Sequence, residues 1–140
     1  MGLFNSLEQA RAYFLQDKFA TENGIILDEV GPDRAVASMM IGPRHKNAWG
    51  GVMGGAIFTL ADFAFAALTN DEKHVTVAQQ VSINYLAQPK GKKLIAKAQY
   101  RKDGRSSAVA IVDIVDEFGK EVAIFTALGF KLDSVKSTTP

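Results

Sequence analysis

One carboxylate, Asp62, interrupts the near-continuous apolar run of residues 56–68, and two glycines, Gly54 and Gly55, lead into that run. Buried carboxylates are uncommon and are usually paired or functional. An acid in such a setting suits a general base or a nucleophile toward a carbonyl. The alternative is a structural acid, bonded to backbone or to a lysine. The glycines stand where a helix must begin. The first backbone N–H groups of a helix lack partners within it and carry the positive end of its dipole. With no side chain in the way, a substrate carbonyl can approach them. That is the make-up of an oxyanion hole, worth about 10²–10³ in rate per donor. The competing reading is that the glycines only allow close helix packing.

Spacing adds a constraint. Gly54 and Asp62 are eight residues apart, about 80° around a helix and about 12 Å along it. An Asp side chain does not reach a carbonyl held at its own helix's N-terminus. If both groups act on one carbonyl, they come from different chains. The site then lies at a two-fold interface, with two sites per pair.

Neighbouring residues divide in the same way between chemistry and structure. Asn47, in the loop before the glycines, either holds a water or substrate oxygen or forms a turn. Trp49 reads as a packing anchor or a pocket wall. Phe58, Phe63 and Phe65 read as core or pocket lining. His45 and His74 are the only histidines, the chain has no cysteine, and neither histidine has a partner at ligand spacing, so no metal is expected. No phosphate-loop glycine motif is present, and no organic cofactor is expected. Lys90, Lys92, Lys93, Arg101, Lys102 and Arg105 gather in turns around two later strands. They are either solvated or positioned to pair with phosphate groups.

The elements that must position these residues follow from pattern. The chain has 140 residues, 47% hydrophobic and 22% charged, with a net charge of +1. That is one domain, 1–140, with no field favouring nucleic acid or an anionic membrane. The start lacks a signal-peptide pattern, and the run at 56–68 is too short to span a bilayer. A cytoplasmic location is expected. Ser6 with Gln9 forms a capping-box pattern that opens a helix over about residues 6–20, ended by Asn23-Gly24. Strands are expected over 24–30 and 34–41, a loop over 43–51, and the glycine-led helix over about 53–69. Strands follow over 75–86, 94–101, 107–115 and 122–132, then a frayed tail over 133–140. Short turns make the sheet largely antiparallel. The central helix is apolar nearly all round, so it is buried on more than one side. The fold class is α+β, a curved sheet wrapped around one long helix.

The stretch "MGGAIFTLADFAFA" resembles the signature of the hotdog-fold acyl-CoA thioesterases, in particular the phenylacetate-degradation group. That group has an Asn, a His-Gly-Gly six residues on, and an "LAD" helix behind it. Asn47, the pair Gly54 and Gly55, and Asp62 match those positions. "INYLAQP" and the segment from Lys102 to Leu132 resemble the strands that follow. The resemblance implies a hotdog fold that hydrolyses acyl-CoA to free acid and CoA. It implies homodimers with shared active sites, assembled as a dimer of dimers. It makes Asp62, Asn47 and Gly54 catalytic; with that reading, Gly55, Met53, Trp49, Gln79, Gln80 and Arg105 are the candidates for contact with the substrate. Some members carry a Ser or Thr at the start of the strand after the helix; here Thr76, Gln79 and Gln80 are the candidates. One departure stands out: the family's His is Met53, which cannot donate a hydrogen bond to a carbonyl. His45 is the nearest substitute. Two alternatives follow. One is a non-catalytic acyl-CoA or lipid-binding module. The other is a hydratase or dehydratase, which the Ala67 at the expected histidine position disfavours.

Overall fold

The computed structural model describes residues 4–132. Two short helices, α1 (Leu7–Phe14) and α2 (Lys18–Glu22), precede strands β1 (Ile25–Val30) and β2 (Arg34–Met40). Helix α3 (Gly54–Thr69) follows, then β3 (Thr76–Tyr85), β4 (Lys93–Asp103), β5 (Ser107–Asp116) and β6 (Glu121–Lys131). All pairings are antiparallel, in the order β1-β2-β4-β5-β6-β3. The single sheet therefore has β1 and β3 as its edges. Strand bounds match the sequence pattern within two residues. The expected tail at 133–140 lies outside the described residues.

The single N-terminal helix expected over 6–20 is two helices. Ser6 does cap the first, accepting from Gln9 N–H at 3.1 Å, while the Gln9 side chain accepts from Asn5 N–H. The helix tightens into i→i−3 bonds at Gln16 and Asp17. Asp17 then leaves the helical region and caps α2, its carboxylate accepting from Ala20 N–H at 3.1 Å. A side chain that can cap ends one helix and starts another without breaking the apolar spacing, so periodicity does not reveal the division.

Helix α3 lies in the curve of the sheet. Leu60, Ala61, Ala64 and Ala67 are fully buried, facing Ala96, Ala98, Ala110, Val112 and Phe125 of the strands. Small residues on both surfaces let helix and sheet approach closely. Gly129 belongs to the same fit, since a Cβ there would stand 2.6 Å from Thr76 and 2.9 Å from Phe65. Phe4, Tyr13, Phe14 and Phe63 form a ring cluster, edge-on except for the tilted Phe4–Tyr13 pair.

A buried acid, Asp116, holds the segment that follows β3. Its carboxylate accepts from the N–H groups of Lys90, Gly91, Phe118 and Lys120 at 2.8–3.2 Å. Desolvation works to raise its pKa, but the four donors together outweigh it and hold it below the usual carboxylate value. Among the described residues, no helix is long and apolar enough to cross a membrane.

Candidate active site

The start of α3 is built from three directions. Met53 is the N-cap and supplies no side-chain bond to the helix. Its own N–H donates to His45 carbonyl oxygen at 2.8 Å. The next two N–H groups, of Gly54 and Gly55, have no hydrogen-bond partner among the described residues. They are the free donors that the glycine pattern led us to expect.

The loop before them is a tight turn. The Asn47 side-chain oxygen accepts from Trp49 N–H and Gly51 N–H at 3.0 and 3.1 Å, and Gly50 adopts φ +89°. Asn47 therefore uses its oxygen to form the turn, and its amide NH₂ has no partner among the described residues. The end of β3 and the residues after it clamp this loop and the helix start. Gln88 accepts from Val52 N–H at 2.8 Å, and the Tyr85 hydroxyl donates to Gly54 carbonyl oxygen at 3.0 Å. Both side chains lie on glycine. A Cβ at Gly51 would sit 3.0 Å from Gln88, and one at Gly54 would sit 3.1 Å from the Tyr85 ring. The glycines thus serve two purposes at once: they open the helix end, and they make room for the groups that hold it.

His45 does not replace the histidine that the sequence lacks at Met53. Gly42 N–H donates to its Nδ1 at 2.9 Å, so the ring proton sits on Nε2 and donates to Asn23 carbonyl oxygen at 2.6 Å. The ring is buried and both nitrogens are spent on tying the loop to the end of α2.

Two cavities flank Tyr85. The larger, about 630 Å³, is lined by Phe19, Ile25, Met39, Met53, Gly55 and Phe58 among others. The smaller, about 400 Å³, is lined by Asn47, Gly54, Leu86 and Gln88 among others. The structure therefore brings Asn47, Met53, Gly54 and Gly55 to one place. Asp62 lines neither cavity. It lies on a partly exposed stripe of α3 with Gly55, Thr59 and Ala66. Its carboxylate makes no hydrogen bond or ion pair among the described residues. It is half-buried rather than enclosed, and its pKa is raised above the usual 3.8, first by desolvation and then by the nearby Asp17 carboxylate.

The remaining expected residues are spread out. β3 runs back along α3: buried Thr76 bonds Thr69 carbonyl oxygen at one end, and Tyr85 bonds Gly54 at the other. Gln79 and Gln80 lie at a bulge of this exposed edge strand. Thr76 supports the helix end instead. Trp49 is 99% exposed and lines neither cavity, so within one protomer it is neither packing anchor nor pocket wall. The six basic residues do not form one cluster. Lys90, Lys92 and Lys93 open β4, whereas Arg101, Lys102 and Arg105 lie at its far end, across a strand of eleven residues. Arg105 is at the opposite end of the sheet from Gly54 in the same protomer. Sequence reasoning passed over Tyr85, Gln88 and Phe19. The first two lie inside the quoted segment "INYLAQP", where polar residues at a strand end were the available signal.

The curved antiparallel sheet around one helix is shared with solved structures. The PaaI protein from the phenylacetic acid degradation operon of E. coli superposes with a TM-score of 0.80 at 29% identity, over 90% of this chain and 96% of that one. The TT0310 protein of Thermus thermophilus does so with a TM-score of 0.76 at 30% identity, over 81% and 97%. By sequence, the chain is 32% identical over 119 residues to the acyl-coenzyme A thioesterase PaaI of Escherichia coli K12, covering 84% of this chain and 85% of that protein. The fold and these similarities make the chain a hotdog-fold thioesterase of the PaaI-like group. Residues 12–127 match the model of the family described as a domain of unknown function, DUF4442, and the chain belongs to that family.

Proposed function

We propose that the chain hydrolyses acyl-CoA thioesters to free acid and CoA at a site shared between two protomers. The observation that carries this reading is the pair of unpartnered N–H groups at Gly54 and Gly55 beside a largely apolar cavity of about 630 Å³, with an unpartnered acid farther along the same helix. The named activity of the E. coli relative supports it. The acyl chain enters the apolar cavity and the thioester carbonyl rests on the Gly54 and Gly55 N–H groups. Asp62 of the partner chain takes a proton from water, and the water oxygen attacks the carbonyl carbon. The oxyanion is held at the helix start, the C–S bond breaks, and the thiolate takes up the proton. Attack by the Asp62 carboxylate itself, through an acyl-enzyme anhydride, is the other route open to the same geometry. Pairing buries the Asp62 stripe and the exposed edge β3, and a dimer of dimers is the proposed assembly.

Met53 and the locked His45 favour a second reading, an acyl-CoA-binding module without turnover. An acyl-CoA panel followed with a thiol reagent separates the two. The chain has no cysteine, so the background is clean. We expect thiol release that persists in the presence of a chelator. Tight acyl-CoA binding with no thiol release would overturn the hydrolase reading.

A base with a raised pKa also sets a pH dependence. Asp62 works deprotonated, so kcat/KM falls as pH drops through its pKa, which burial raises from the ordinary aspartate value. Asp17→Asn removes the second cause of the shift while an Asn still caps α2. The acid limb of the kcat/KM profile is expected to move to lower pH; an unmoved limb rules out the Asp17 contribution.

A further inference from the structure

We infer that Tyr85 is a positioning residue for the reaction, a phenol latch that sets the direction of the donor N–H at the start of α3. The inference rests on the thioesterase reading and adds a residue to it.

Helix α3 begins without the usual fastening. A side-chain oxygen normally caps the first turn, and substituting such a cap costs about 0.5–2 kcal/mol. Met53 cannot do this, and no side chain caps the free N–H groups. The first turn of a helix frays unless something outside holds it. Here the holding comes from across the fold. The Tyr85 hydroxyl, 31 residues away, donates to Gly54 carbonyl oxygen at 3.0 Å.

The atom it holds is decisive. Gly54 C=O and Gly55 N–H belong to one planar peptide unit and point in opposite directions. Fixing the carbonyl fixes the N–H. Gly55 N–H is one of the two free donors at the cavity mouth. Glycines on both sides of that peptide leave it torsionally permissive, so an external anchor matters more here than in an ordinary first turn. The contact is also packed: the ring is close enough to Gly54 that a Cβ there would stand 3.1 Å from it. Tyr85 meanwhile lines both cavities, so the latch stands between them. The hydroxyl spends its proton on protein rather than substrate. Its role is thus to orient a donor that pre-exists the reaction, which is how oxyanion stabilisation avoids reorganisation.

Tyr85→Phe tests the latch. The residue is half-exposed, at 52%, and the variant keeps the ring, so the cavity walls remain. We expect kcat to fall about 3- to 10-fold, the factor that one neutral hydrogen bond represents, with KM little changed. The loss should be the same factor for every acyl chain in the panel, because the latch acts at the carbonyl end. A wall role would make the effect vary with acyl length and move KM. Wild-type kcat in Tyr85→Phe, or a change in KM alone, overturns the latch while leaving the thioesterase reading intact. A wild-type protein without thiol release overturns both. To confirm that Tyr85→Phe is folded, its melting temperature should stay near that of wild type; a collapse in melting temperature would assign Tyr85 to stability and overturn the latch.

Discussion

Replacing Asp62 with Asn should lower kcat by about 10²–10⁴, the usual cost of removing a general base, and should raise the melting temperature at neutral pH. The two effects share one cause. Asp62 sits on an apolar helix, where desolvation, with Asp17 adding to it, raises its pKa. A folded-state pKa above the unfolded one means that the charged carboxylate opposes folding. That penalty is present at neutral pH, fades as pH falls through the folded-state pKa, and is gone below the unfolded value. Among the described residues the carboxylate has no hydrogen bond to lose, so the neutral amide removes the penalty without breaking a contact. A site that keeps a destabilising charge fits the common trade of stability for activity. The measurements are steady-state turnover and thermal melting of both proteins. A variant that melts lower yet keeps its kcat would make Asp62 a structural acid.

Mixing two inactive variants should restore activity. The partner for Asp62→Asn is Gly54→Pro, which removes the Gly54 N–H. Proline is favoured at the first helical position, and Met53 already has φ −64° and ψ 137°, the extended conformation required before proline. Its ring must nudge the Tyr85 side chain, which a Cβ at Gly54 would meet at 3.1 Å. Each variant alone should be nearly inactive. In a mixed dimer with shared sites, one site carries both lesions and the other carries neither. Activity should then reach about half of wild type per mixed dimer by the two-site count. The distance behind this is the eight-residue separation of Gly54 and Asp62, about 12 Å along the helix. Folded, exchanged, inactive heterodimers would show that each chain builds its site alone.

Most of the fold was legible in the sequence because its signals are local. Alternation marks β4 and β5, the turn residues Asp103 and Gly104 mark the hairpin between them, and the all-round apolar character of residues 56–68 requires a helix buried in a sheet. The helix broken at Leu15 was not legible, since Asp17 caps α2 without disturbing the apolar spacing. Neither was the role of His45, because its ring is committed by Gly42 and by Asn23, which is 22 residues distant.

By itself the sequence determined that an acid and a pair of glycines share one helix and stand too far apart to meet on it. Helical rise and rotation follow from residue count alone, so that separation needs no tertiary knowledge. Only the tertiary structure decided how the glycines are used. Tyr85 and Gln88 come from 31 and 36 residues away to hold Gly54 and Val52, and Asn47 turns its oxygen inward to shape the loop. Those contacts depend on β3 running back along α3 to end beside its first turn, which no local pattern encodes.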